Sequence, residues 1–388
     1  MLLIKDGIVY TPEKIGKKDI LIAGGQIEMI SDEISLPTGF DIEVIDAKGK
    51  LVVPGFIDSH VHVLGGGGEG GYRTRTPEIQ LTDLTLGGIT TVVGCIGTDG
   101  VTRTMTSLVA KTRALEEEGI TAYCYTGSYD VPVRTLFESP KEDLILIDKV
   151  IGVGEIAISD HRSSQPSMDE LKRLSADARV GGILSGKAGV VNIHLGDGDT
   201  QLEPLLEIIK TTEIPITQYM PTHVNRSKKL TEASVEFGKL GGYLDLTTSS
   251  DPDHLEEDEV KASAGLKYLL DQGVDIDYIG FSSDAQGSLP IFNHKKEFIG
   301  LGIGLAKSLY REVKDAVIDE GVPLETALKV ITQNPARILK LRRKGSLLKG
   351  LDADLVVLDA DTLEIDTVVG MGRVLVEKGV AVVKGTFE

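Results

Sequence analysis

Cysteine is scarce. The 388 residues hold two, Cys95 and Cys124, too few for a disulfide framework, so a cytoplasmic setting is expected. Each lies in a β-like run and reads as core packing. Positive charge is also short: Lys and Arg number 41 against 59 Asp and Glu, a net charge of -18. A surface of that sign offers phosphate nothing to bind, which excludes nucleic acid and anionic membrane as expected partners. No apolar run reaches transmembrane length, and the opening MLLIKDGIVYTPEK lacks the basic-then-apolar layout of a signal peptide. With 41% hydrophobic and 26% charged residues, the composition is that of a globular protein with room for one large domain and a smaller one.

The two ends of the chain look alike. LLIKDGIVY, DILIAGGQIEMI and EVIDAKGKLVVPG near the start, and GLDADLVVLDAD and TVVGMGRVLVEKGVAVVKGTFE at the close, are short strands punctuated by tight turns. They predict one small β-sandwich made from residues 1–50 and 344–388. Between them, apolar runs at 51–58, 90–96, 120–126, 150–158, 189–195, 214–221, 242–247 and 277–283 alternate with helical patterns such as MDELKRLSADARVGGIL and TQLEPLLEIIKTT. Eight strand-helix repeats predict an α/β fold, a (β/α)8 TIM barrel over 51–343, with 298–340 helical. The rival, a doubly wound open sheet, is weak because the glycines at 65–71 do not open a helix as a dinucleotide-binding turn requires.

The histidines fall where such a barrel gathers its chemistry. His60 and His62 end the first strand in GFIDSHVHV, two apart and therefore on one face. His194 ends the fifth (GVVNIHLGDG), His223 the sixth (PITQYMPTHVNR) and Asp284 the eighth (FSSDAQGS), while Glu155 lies near the end of the fourth. The C-terminal strand ends of a barrel converge on one mouth, and nitrogen and oxygen donors gathered there suit zinc or a similar transition metal. A single histidine at a strand end is as readily structural; packing does not explain this set. His161 is expected to orient its neighbours, and His254 and His294 to be surface residues.

In this order (HxH, an acid on the fourth strand, two later histidines, a final aspartate) the sequence resembles the amidohydrolase superfamily, and GLDADLVVLDAD is similar to that group's tail. More narrowly, GFIDSHVHVLGGGGEGG, TRTPE, YTGSYDVP, AISDHRS, PTHVNR and SSDAQGS resemble the isoaspartyl dipeptidase family. The resemblance implies hydrolysis of β-aspartyl dipeptides by a hydroxide shared between two divalent metals, Zn2+ by the donor types, in a homo-oligomer. It implies His60, His62 and Asp284 on one metal, His194 and His223 on the other, and Glu155 bridging where most such enzymes carry a carboxylated lysine. Gly154 would let the shorter glutamate approach; Lys187, in a glycine-rich loop, is a poor substitute. Asp284 is implied as proton carrier and Tyr129 as oxyanion donor. Glu69 would meet the substrate ammonium, Arg162 and Arg226 its carboxylates, and Gly67, Thr98 and Ser288 would make further contacts. Blander readings stay open: a helix cap for Asp284, packing for Tyr129, salt bridges for the arginines, a mobile lid for the glycines. Rival functions are a cyclic amide hydrolase of the dihydroorotase or hydantoinase kind, a deacetylase, and a non-catalytic scaffold.

Overall fold

The computed structural model describes residues 1–35, 39, 41–250, 258–292 and 298–388; His254 and His294 lie outside them. The chain opens with β1 (Leu2–Tyr10), β2 (Lys14–Ala23), β3 (Gln26–Ser31), β4 (Glu43–Asp46) and β5 (Lys50–Pro54). Eight parallel strands follow: β6 (Phe56–Val61), β7 (Ile89–Gly94), β8 (Thr121–Thr126), β9 (Val150–Ile158), β10 (Val190–Leu195), β11 (Tyr219–Thr222), β12 (Leu244–Thr247) and β13 (Ile279–Ser282). After a hairpin of β14 (Ser288–Phe292) and β15 (Phe298–Ile303) come three helices and then β16 (Leu355–Asp359), β17 (Ile365–Gly370), β18 (Arg373–Glu377) and β19 (Val380–Ala381).

β6 to β11 form one continuous parallel sheet and β12 pairs with β13. The curl closes at two seams. Val224 N–H donates to Asp245 O between β11 and β12, and beyond β13 Asp284 N–H donates to His60 O while His62 N–H donates to Ala285 O. The result is a TIM-like barrel. Its strands read as mostly apolar runs because both faces are covered: β7, β9 and β10 are buried at every position. Ile57, Val93, Tyr125, Ile151 and Met220 come from five different strands and pack into one cluster with Ala336 and Ile338. The helices follow local rules. Met168–Ser185 starts with a Ser167–Glu170 capping box and ends at left-handed Gly186.

The termini meet as expected. β1 to β5 and β16 to β19 form one nine-stranded sheet, with its own apolar cluster that includes Leu2, Ile4, Ile20, Val52 and Leu355. Two expectations need correction. The run at 51–58 is two strands: β5 pairs with β1 and β16 of the terminal sheet, and β6 begins the barrel. Residues 298–303 form a strand, because Ile, Leu and Gly alternate in FIGLGI and favour an extended chain over a helix. Helix resumes at Ser308.

Candidate active site

The strand ends deliver their side chains to one place. His60, His62, Glu155, His194 and His223 are all buried. Glu155 lies at the centre, and its two oxygens face different partners. Oε2 is 3.1 Å from His60 Nε2 and 3.8 Å from His62 Nε2, whereas Oε1 is 2.6 Å from His194 Nδ1 and 3.7 Å from His223 Nε2. Asp284 Oδ1 is 2.9 Å from His62 Nε2 and 3.6 Å from His60 Nε2. A bulge puts Glu155 there: Val153 pairs with Val191 and Ile156 with Ile193, so Gly154 and Glu155 together oppose Asn192. Gly154 has φ +146°, and a Cβ on it would lie 2.7 Å from Asn192 O, a position that only glycine fills. His223 and Asp284 also hold left-handed φ values of 65° and 51°, conformations that cost a non-glycine residue about 1–3 kcal/mol and concentrate at functional sites.

The donors fit a metal centre. Both ring nitrogens of His60 and Oδ1 of Asp284 are buried without a hydrogen bond, although Glu155 and His62 stand within ion-pair distance. Among the described residues the donors fall into two sets within mutual reach, His60, His62, Cys95 and Glu155, and Glu155, His194 and His223. Charge agrees. Burial alone would push the Glu155 carboxyl up, but His60, His194 and His223 around it hold it well below the usual carboxylate range. Burial opposes charging His60 and His62 as well, yet Cys95 and Glu155 raise the first, and Cys95 and Asp284 the second, well above the usual imidazole range. This pocket of anions attracts positive charge, for which protons and metal cations compete. His223 is pushed down to about 3, mainly by burial, which keeps a lone pair available.

Surrounding groups hold the histidines. His194 Nε2 is 3.0 Å from Asp160 Oδ2, and Asp160 takes Arg162 Nε at 3.0 Å and Nη2 at 2.6 Å. His223 Nδ1 is 2.5 Å from Thr247 Oγ1. Such contacts fix ring orientation and tautomer. Tyr129, buried, places its hydroxyl 2.8 Å from His194 Nδ1; burial and Glu155 raise its pKa, so the phenol remains a donor.

Above the cluster opens a cavity of about 680 Å³. Gly67, Glu69, Thr98, Arg162, Arg226 and Ser288 all line it. Glu69 accepts from Thr98 Oγ1 at 2.8 Å and stands 3.7 Å from Arg162 Nη1. Gly67 packs against Ser288 and Thr74, where a Cβ would come within 3.0 Å of both. His161 is exposed at the rim. Lys187 is at the opposite end of β10, its ammonium donating to the Leu144 and Ile147 carbonyls. The sequence reading missed four residues. Arg103 is buried and ties down the glycine loop through the Leu64, Gly66 and Gly67 carbonyls. Asp58 is pushed up to about 7 by burial and accepts from Ser283 N–H at 3.0 Å. Asp160 supports His194. Cys95, expected as core packing, sits in the apolar cluster of Ile57, Val93 and Tyr125 and also lies beside the donors His62 and Glu155.

Residues 51–385 match the amidohydrolase family model. The chain belongs to the amidohydrolase family. The β-aspartyl dipeptidase of Fervidobacterium islandicum AW-1, crystallised with the β-Asp-Leu dipeptide, is 46% identical over 98% of each chain, with a TM-score of 0.89. The dihydroorotase of Carboxydothermus hydrogenoformans is 27% identical, covering 96% of this chain and 92% of its own. A D-hydantoinase structure at 18% identity shares the fold, with a TM-score of 0.69 over 99% of this chain and 97% of that one. This amidohydrolase is thus a homologue of a β-aspartyl dipeptidase. Among its described residues no helix is long and apolar enough to cross a membrane.

Proposed function

We propose that this amidohydrolase is a metallo-dipeptidase that hydrolyses the isopeptide bond of β-aspartyl (isoaspartyl) dipeptides. The observation that carries the reading is the junction of two donor sets at Glu155, beneath a cavity whose lining includes the acid Glu69 and the arginines Arg162 and Arg226. Two divalent cations would fit, zinc by the imidazole-rich donor set: His60, His62 and Asp284 would hold one, His194 and His223 the other, with Glu155 available to both. When bound, they supply Lewis acidity that lowers the pKa of water and polarises the scissile carbonyl. The chain's own groups do the rest. Asp284, held ionised at about 2 by the His62 imidazole despite its burial, takes the proton of the attacking water and passes it to the leaving amine. The Tyr129 phenol donates to the developing oxyanion. Glu69 pairs with the α-ammonium, Arg162 and Arg226 with the two carboxylates, and Thr98, Ser288 and the Gly67 backbone complete the pocket. The segment from Phe56 to residue 343 acts as the catalytic barrel, with the terminal sheet up to Pro54 and residues 344–388 as its support, in a cytoplasmic homo-oligomer.

The test is release of free aspartate from β-Asp-Leu, α-Asp-Leu and N-acetyl-β-Asp-Leu. Cleavage confined to the β-linked dipeptide with a free amine is the expected result, and equal activity on the other two sinks the assignment. The 27% identity to a dihydroorotase favours a second reading, a cyclic amide hydrolase with the same donors. That reading leaves Glu69 without a cationic partner in the substrate, and turnover of dihydroorotate rather than β-Asp-Leu is what would support it.

A further inference from the structure

We propose that Cys95 is a metal ligand, its thiolate completing the donor set on the His60–His62 side of the centre. The inference rests on the metal-centre reading of the site and adds a sulfur donor to it. Cys95 directly follows β7, so the strand-end geometry that delivers the histidines delivers this side chain too. It is 1% exposed, and its sulfur stands 3.7 Å from His62 Nδ1 and 3.9 Å from Glu155 Oε2. An independent observation points to a ligand there: His60, fully buried in the same set, has neither ring nitrogen hydrogen-bonded.

Charge and chemistry favour the thiolate. Two divalent cations with a shared hydroxide would bring three net positive charges into a buried site, and Glu155 with Asp284 offset two. Unpaired charge is costly where water is excluded, and a thiolate from Cys95 reduces the excess. Sulfur also selects zinc over harder cations such as magnesium or manganese, which oxygen and nitrogen donors alone discriminate less well. Packing is the competing account, since Cys95 also touches the apolar cluster of Ile57, Val93 and Tyr125. The chain carries its own control for that. Cys124, the second cysteine of the sequence, is buried in the main apolar core, beside Thr112, Asp143 and Lys149 and outside both donor sets.

The experiment loads the full-length chain with Co2+, measures metal per chain, and records the near-ultraviolet spectrum, where thiolate-to-cobalt charge transfer absorbs. The wild type and Cys124→Ser should show the band. Cys95→Ser should lose it, keep the visible cobalt bands, and bind metal at least tenfold more weakly. Zinc-edge absorption on the zinc-loaded wild type should show a sulfur neighbour at about 2.3 Å. Full cobalt loading without the band, or a band that survives Cys95→Ser, overturns the proposal and leaves the metal centre standing. A chain that takes up no metal overturns both. Where Cys95→Ser does not fold, a band shared by wild type and Cys124→Ser still assigns the sulfur.

Discussion

Glu155→Gln separates a shared carboxylate from every other reading of the centre. The substitution keeps shape and volume and removes one charge from the middle of the cluster. Because Oε2 faces His60 and Oε1 faces His194, at 3.1 and 2.6 Å, the loss falls on both donor sets at once. Breaking a buried ionic pair costs about 3–5 kcal/mol. At about 1.4 kcal/mol per tenfold, metal affinity drops roughly 100- to 4,000-fold. The assay is metal content after dialysis against graded chelator, followed with aspartate release from β-Asp-Leu, and both metals should leave in parallel with activity. Reactivation of metal-free wild type by zinc should ignore bicarbonate, since a glutamate carries its carboxylate already and Lys187 spends its ammonium on backbone carbonyls. Two metals retained at wild-type affinity, loss of one metal alone, or reactivation that needs bicarbonate would each refute the shared carboxylate.

Asp284→Asn should keep most of the metal and lower turnover roughly 100- to 10,000-fold, the range of general acid–base contributions; a near wild-type rate removes Asp284 from proton transfer. Glu69→Gln should raise KM for β-Asp-Leu about tenfold, or about 1.4 kcal/mol, less than a buried pair because the Glu69 side chain is 34% exposed; an unchanged KM would detach Glu69 from the ammonium. Asp245 gives a pH-dependent test of stability, because burial raises its carboxyl from 3.8 to about 6 while Thr222 and Ser282 both donate to Oδ2. Below about pH 4 both states hold the proton and burial costs nothing; between 4 and 6 the unfolded chain ionises first and stability falls, by up to about 3 kcal/mol above pH 6. Metal-free Asp245→Asn should therefore match the wild type near pH 4 and exceed it in denaturant midpoint at pH 7.5, and a pH-independent difference contradicts the cause given.

The barrel was legible because its strands are buried on both faces and its helices obey ordinary capping. Periodicity and apolar runs report those features directly, and Val150–Ile158 matches its sequence run end to end. What failed was continuity. LVVPGFID reads as one strand because composition does not reveal that residues 50–54 pair with β1 and β16 while Phe56 pairs with Ile89. The β14–β15 hairpin failed for the opposite reason. Its apolar residues line the cavity, Leu289, Ile291, Leu301 and Ile303 among them, and a short run of Ile, Leu and Gly next to true helices gives no clear period.

The site was legible to the extent that its members are chemically unusual at strand ends. Histidines and acids stand out against apolar runs, and six of them meet within a few ångströms. Cys95 follows the same positional rule one residue beyond β7, but a cysteine in a strand looks like any small apolar residue, and only proximity to His62 and Glu155 distinguishes it from Cys124. Asp160 and Arg103 were hidden more deeply. Each acts by hydrogen bonds to groups distant in sequence, Asp160 to His194 across 34 positions and Arg103 to the Gly66 carbonyl across 37, and no spacing rule reaches that far. The residues that hold the histidines and the glycine loop in place therefore come from tertiary geometry alone. Local pattern identifies the groups that carry the chemistry, whereas the fold decides which ring nitrogen of His194 faces Glu155 and which faces Asp160.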